Sequence, residues 1–395
     1  MYGTICSVSF WKAGRRKEER KSRKTINFVL IFCTNVLSLL SYVFFLPRCQ
    51  VLVLTYVNNS LITNVIQSIF RLFFCVFIFY FDSMLHHVGL PKEDLNLLYS
   101  DGLVMNHVML EGDSRMCLFT GSQSVADKLA VDLKGKIKLE DAGFDWKILG
   151  PDGPGNEVDF VAWQCDQDAY AFSGQKCSAQ SMMFVHEKWE TSDVDIIGKI
   201  GDLASKRNLE DLTCCPVLTW DTPKFLAHVE ACLAVPGAEL AFGGNALEGH
   251  QVPDCYGAVE PTAVTVPIEA LQDPAHFATL TTELFGPFQV LVRWKDGQID
   301  DVIDVLNRMQ NHLTAGIVSN DPQFLNHVLA NTISGTIYAG LLARTTAAPQ
   351  QHWFGPSGDV RAGGIHTKEA IQLCWSGHRE IIYDVGPSNG PGSMS

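Results

Sequence analysis

The pattern of apolar and polar positions changes near residue 82. Before it, apolar residues run on without a helical or strand period. Residues 26–46, INFVLIFCTNVLSLLSYVFFL, hold no charge, and Val51 to Phe81 is nearly as apolar, broken by Asn58, Asn59 and Arg71. A helix over 26–46 would match the roughly 30 Å hydrocarbon core of a bilayer. After residue 82, short apolar runs alternate with amphipathic ones, separated by Gly, Pro and Asp. Met116 to Phe119 predicts a buried strand ending in Thr120-Gly121-Ser122. Ser124 to Leu133 predicts a helix with Val125, Leu129 and Leu133 on one face. Further helices are predicted over 195–207, 222–233 and 299–310, and strands over 240–242, 289–294 and 315–318. Asp321 and Pro322 open another helix, to about Ala330. Leu90 to Asp94 also reads as a helix start, Thr336 to Ala339 as a buried strand and Glu380 to Val385 as a terminal strand. This alternation predicts α/β domains with a mostly parallel sheet.

Charge follows the same division. Residues 1–81 carry ten Lys or Arg against Glu18 and Glu19, whereas 82–395 carry twenty against forty-one acids, within a net charge of −13. The acidic part argues against a nucleic-acid partner, which would need a basic surface. The cations at 15–24 would keep the N-terminus of an anchor on the cytosolic side. A signal peptide fits less well, because the apolar run is long and no small-residue cleavage site follows. Residues 25–81 also contain no Gly or Ala, which membrane helices use for packing. The favoured expectation is therefore that residues 1–81 stem from a retained intron or misplaced start and replace a genuine N-terminal region. A membrane anchor is the alternative.

The twelve cysteines show neither a disulfide framework nor a metal-binding spacing. One stands apart, in Ser173-Gly174-Gln175-Lys176-Cys177-Ser178. Gly174 permits a tight bend, and Lys176 beside Cys177 is expected to favour the nucleophilic thiolate. By residue type alone Cys177 reads equally as a small buried hydrophobe, and Glu140 as a solvated surface charge. No metal site is expected.

Taken together, Leu139-Glu140-Asp141-Ala142-Gly143, the Cys177 run and Glu283-Leu284-Phe285-Gly286-Pro287-Phe288 resemble the aldehyde dehydrogenase superfamily. The resemblance covers about Met84 to Val385. Within the superfamily, LKGKIKLEDAGFDWKILGPD (133–152), AWQCDQDAYAFSGQKCSAQSMMFVHE (162–187) and TAGIVSNDP (314–322) are similar to the plant mitochondrial delta-1-pyrroline-5-carboxylate dehydrogenase subgroup.

The resemblance implies an incomplete Rossmann-type NAD-binding domain and an α/β catalytic domain behind the apolar segment. The expected divisions are 1–81, 82–140 (remnant of the NAD-binding domain), 141–345 (catalytic) and 346–395 (substrate-anchor loop and oligomerisation segment). It implies NAD-dependent oxidation of glutamate 5-semialdehyde to glutamate, with Cys177 as nucleophile and Glu140 as the base that activates water. A dehydrogenase for another semialdehyde and a membrane-tethered non-catalytic relative are the alternatives. Glu283 and Phe285 would contact the nicotinamide ribose and ring, and Thr120, Gly121 and Ser122 would form the turn near the cofactor. Ser178, Ser357 and Gly358 would hold the substrate, with Ala362-Gly363-Gly364 as a further candidate carboxylate anchor. An oligomer and a mitochondrial matrix location are implied in the same way. No segment of 1–83 resembles the family's opening βα units. An unpaired strand edge, an exposed apolar face and lost turnover are expected to follow. Loss of one oxyanion donor alone costs on the order of 10²–10³ in rate.

Overall fold

The computed structural model describes the backbone of residues 5–9, and residues 83–91, 98, 100–141, 143–310, 312–346, 361–363, 368–369, 372 and 381. The apolar run 26–46 expected as an anchor, the helix start at 92–94, Ser357 and Gly358, and most of the 380–385 strand lie outside the described residues. Among the described residues no helix is long and apolar enough to cross a membrane.

Two sheets organise the described chain. The smaller contains β1 (Ile5–Ser9), β2 (Cys117–Gly121) and β3 (Ile137–Asp141), with helices α1 (Gly102–Glu111) and α2 (Gln123–Asp132). Strand β2 runs parallel to β3 and antiparallel to β1. The expected unpaired edge is thus corrected: Ile5–Ser9 takes up the β2 ladder groups. A single apolar cluster closes this unit, built on Met105, Met109, Phe119, Ala126, Leu129, Ile137 and Leu139. Outside it, Leu103 remains 82% and Val131 78% exposed, so apolar residues do face outward here.

The larger unit comprises β4 (Asp145–Leu149), α3 (Val158–Tyr170), β5 (Gln180–His186), α4 (Ile196–Ala204), α5 (Thr222–Leu233), β6 (Glu239–Phe242), β7 (Thr262–Pro267), α6 (Ile268–Gln272), α7 (Pro274–Leu280), β8 (Phe288–Trp294), α8 (Ile299–Arg308), β9 (Thr314–Val318), α9 (Pro322–Asn331) and β10 (Thr336–Ala339). Its strand order is β10-β9-β4-β5-β8-β7-β6, parallel except for the β6–β7 pair. Both faces are covered, which explains why the central strands read as continuous apolar runs. Trp146, Ile148, Met182, Phe184, Val290 and Val292 enter the core under α5 to α9. Their neighbours Leu149, Met183, Val185 and Leu291 enter the opposite core under α3 and α4.

Local signals account for the helix starts. Asp221, Asp273 and Asp321 each accept a first-turn N–H, from Lys224, Ala275 and Gln323, and each stands just before a helix with Pro in its first turn. Helix α8 buries Val302, Ile303, Val305 and Leu306 and keeps Asp300 and Asp301 near its N-terminus, where the macrodipole favours them. One prediction fails in detail. The strand 336–339 exists but is half-buried to exposed, because β10 is the sheet edge.

Candidate active site

The two sheets meet where β3 ends and β4, β5 and β8 begin. Strand register fixes the first half of the site. Thr120 and Gly121 lie opposite Glu140 and Asp141, so the strand-turn-helix passage stands beside the Glu140 carboxyl. Ser122 is the N-cap residue of α2, and its side chain makes no capping bond to the first-turn N–H groups.

The second half is a strained turn. Phe172 (φ 57°) and Ser173 (φ 53°) hold left-handed backbone conformations that L-residues rarely adopt, followed by Gly174 at φ 65°. At Gly174 a Cβ would stand 2.2 Å from the Gly286 carbonyl oxygen, so the bare backbone lets the nucleophile turn pack on the 283–286 segment. Ser173 Oγ accepts the Cys215 N–H at 2.7 Å. The Gln175 amide donates to Pro216 O at 2.9 Å and accepts from Leu218 N at 3.0 Å. These bonds deliver Cys177, half-buried with a free thiol, to the start of β5.

The Cys177 thiol neighbours the Glu140 carboxyl, and each shifts the other's pKa. Glu140 is 8% exposed. Burial lifts its pKa to about 7, with the Cys177 thiol opposing and Asp141 adding to the rise. Burial, then Glu140, Asp145 and Glu283, push the Cys177 thiol well above its ordinary value. Lys176, expected to favour the thiolate, donates its Nζ to Gln167 O at 2.9 Å and remains electrostatically coupled to Cys177. Burial lowers the Lys176 pKa to about 8. Cys177 rests as a thiol with an adjacent carboxylate able to take its proton.

Glu283 reaches the same centre from the segment before β8. Its Oε1 accepts the Gly143 N–H at 3.3 Å, and burial lifts its pKa to about 8 despite that bond. Phe285 is half-buried at φ 46°, and its carbonyl accepts the Thr219 hydroxyl at 3.4 Å. Ser178 is buried at the foot of the turn. Thr120, Gly121, Ser122, Glu140, Cys177, Ser178, Glu283 and Phe285 are thus drawn to one region. Arg361, in the segment weighed as an anchor, pairs with Asp127 at 3.1 Å.

Sequence reasoning missed the groups that stiffen this region. Asp145 is buried, its Oδ1 taking the Thr314 N–H at 2.6 Å, and its other oxygen packs against Gly143. Lys147 and Asp168 form a 2.7 Å ion pair, both side chains fully buried. Asp168 also accepts from Gln164, Thr345 and Thr346. Behind Cys177, Gln180 donates to Gln289 (2.6 Å), Gln289 to Tyr170 Oη (2.8 Å), and Tyr170 to Thr262 O (3.1 Å). At the far end of β5, His186, Glu187 and Asp296 gather potential ligand atoms within 4.8 Å of one another. There His186 Nδ1 accepts the Lys188 N–H, which places the proton on Nε2 toward Asp296 and leaves no ring lone pair for an ion.

Residues 75–371 match the family model "Aldehyde dehydrogenase family". The chain is 58% identical over 305 residues to delta-1-pyrroline-5-carboxylate dehydrogenase 12A1, mitochondrial, of Arabidopsis thaliana, covering 77% of this chain and 54% of that protein. It is equally 58% identical, over 304 residues, to a probable aldehyde dehydrogenase of Linum usitatissimum, with 77% of this chain and 54% of that protein covered. The chain therefore spans about half the length of these curated relatives. A Thermus 1-pyrroline-5-carboxylate dehydrogenase with bound NAD superposes with a TM-score of 0.62 at 20% identity, over 82% of this chain and 59% of that one. Aldehyde dehydrogenase 21 of Physcomitrella patens, in complex with succinate, gives 0.62 at 19% identity, over 82% and 61%. At these identities the solved structures support the fold alone.

Proposed function

Because the chain belongs to the aldehyde dehydrogenase family, we propose that it performs NAD-dependent aldehyde oxidation, with L-glutamate 5-semialdehyde as substrate and glutamate as product. That substrate is the opened form of delta-1-pyrroline-5-carboxylate, named for the plant relative. The observation that carries the chemistry is the buried Glu140 carboxyl standing beside the Cys177 thiol.

Glu140 takes the thiol proton, and the Cys177 sulfur adds to the aldehyde carbon to give a thiohemiacetal. The residues proposed for the cofactor fit a dinucleotide, since no side-chain cap occupies the first-turn N–H groups of α2 and Thr120 and Gly121 end beside Glu140. A nicotinamide dinucleotide held there, with Glu283 and Phe285 at its nicotinamide end, supplies the hydride acceptor. Loss of hydride leaves a thioester on Cys177. Glu140, with its pKa near 7, gives the first proton up to solvent and then removes a proton from the water that attacks the thioester. The Cys177 sulfur leaves and regains a proton, and glutamate is released. In this reading residues 82–140 serve the cofactor and 141–345 the chemistry. Ser178, with Ser357 and Gly358, holds the amino-acid end of the substrate, the protein is an oligomer, and its place is the mitochondrial matrix.

Purified chain with delta-1-pyrroline-5-carboxylate and NAD is expected to form NADH at a rate that Cys177→Ala abolishes. A folded chain giving no NADH, or giving it equally without Cys177, contradicts the reading. A second aldehyde lacking the amino and carboxyl groups tests the substrate.

A further inference from the structure

The strand that carries Glu140 has a neighbour with no part in this chemistry. Leu139 donates its N–H to Arg361 O at 2.8 Å and accepts from the Gly363 N–H at 2.8 Å. The pair forms a parallel bridge between Leu139 and Ala362, on the edge of β3 opposite β2. Two features seat this segment. Arg361 pairs with Asp127 on α2 at 3.1 Å. Gly363 lies so close that a Cβ would stand 2.9 Å from Leu118 Cδ1 and 3.4 Å from both Leu139 O and Lys138 Cβ. Leu118 belongs to the packed apolar cluster and has little room to yield.

Adjacent strand residues share one backbone but face opposite ways, so a shift of the Leu139 ladder moves Glu140 with it. We propose that residues 361–363 act as a positioning strap, which completes the edge of β3 and thereby sets the placement of the Glu140 carboxylate on the Cys177 thiol. This rests on Glu140 and Cys177 as base and nucleophile. It assigns Arg361 and Gly363 a role in the geometry of that pair, in place of the carboxylate-anchor role weighed for this segment.

The test reads the thiol directly, without cofactor or substrate. Alkylation by iodoacetamide is followed against pH on the Cys177 peptide by mass spectrometry. The charged groups facing Cys177 are Glu140 from β3, Asp145 from β4, Glu283 from the segment before β8 and its neighbour Lys176. Glu140→Gln removes the carboxylate beside the thiol, which repels the thiolate, and should lower the alkylation midpoint by on the order of one pH unit. Gly363→Val, which wedges the strap away, and Arg361→Ala, which removes its ion pair, should shift the midpoint the same way by about half as much. Circular dichroism establishes folding. Where Gly363→Val does not fold, the milder Arg361→Ala decides.

Folded strap variants with the wild-type midpoint, beside a shifted Glu140→Gln, overturn the strap. An unshifted Glu140→Gln overturns it too, by removing Glu140 from the thiol. Shifted midpoints in a chain that forms no NADH uphold the strap and sink only the proposed reaction.

Discussion

The two sheets hold their halves of the site in different ways. The larger is covered on both faces, and its strands alternate between two apolar cores. It adds a fully buried Lys147–Asp168 pair and the Gln180–Gln289–Tyr170 chain directly behind the nucleophile. The smaller has one apolar cluster, and both of its edges are completed by distant segments, Ile5–Ser9 on β2 and 361–363 on β3. Cys177 and Glu283 thus stand on a redundant frame, whereas Glu140 stands on one that depends on borrowed edges. The proposed chemistry needs both, so the placement of Glu140 is the part of the site most easily lost.

The largest expected effect strips the larger unit of its chemistry. Cys177→Ala should lower NADH formation by about three orders of magnitude or more, with the melting temperature nearly unchanged. Asp168→Ala should break the larger frame instead. It leaves Lys147 charged and buried without its partner, at a cost of about 3–5 kcal/mol in denaturant unfolding. Leu129→Ala in the smaller cluster should cost about 2–4 kcal/mol. Its signature is local: amide exchange should quicken across 117–141 and stay slow across 180–186.

A smaller effect comes from the buried carboxyls. The pKa of Glu140 is raised from an ordinary 4.5 to about 7, and that of Glu283 from 4.5 to about 8. Between these limits the folded chain keeps protons that the unfolded chain has released. Stability should therefore fall as pH rises from about 4.5 toward 8 and level off above that window. Melting scans across pH should show this decline, and Glu140→Gln should flatten it. The smallest change is Thr346→Val, which removes a single 2.7 Å hydroxyl bond to Asp168 and should cost about 1 kcal/mol.

The sequence disclosed those features that depend on local spacing. Asp before Pro marked the start of α9, and the period of 299–310 marked α8. The Gly174 bend and Cys177 were legible as a reactive setting, and Glu140 and Glu283 through the family resemblance. Contacts between distant segments were not legible. Nothing near Lys147 in the chain reveals that its ammonium lies between sheet and helix, paired with Asp168. Lys176 was legible as a cation beside Cys177, but the reach of its long side chain to a carbonyl on α3 was not. The edge positions of β10 and of 361–363 depend on which strands remain to pair with them, and the local pattern carries no record of that.

The central claim is that a nucleophile from one sheet and a base from the other act in succession. It is tested most directly by stopped-flow NADH formation in Glu140→Gln. The account predicts a slowed burst of about one NADH per chain followed by a stall, with acyl-Cys177 accumulating in the mass spectrum. The thiol, its midpoint lowered, still acylates without its base, but nothing activates water against the thioester. Steady turnover at the wild-type rate, with no acylated Cys177, would contradict it.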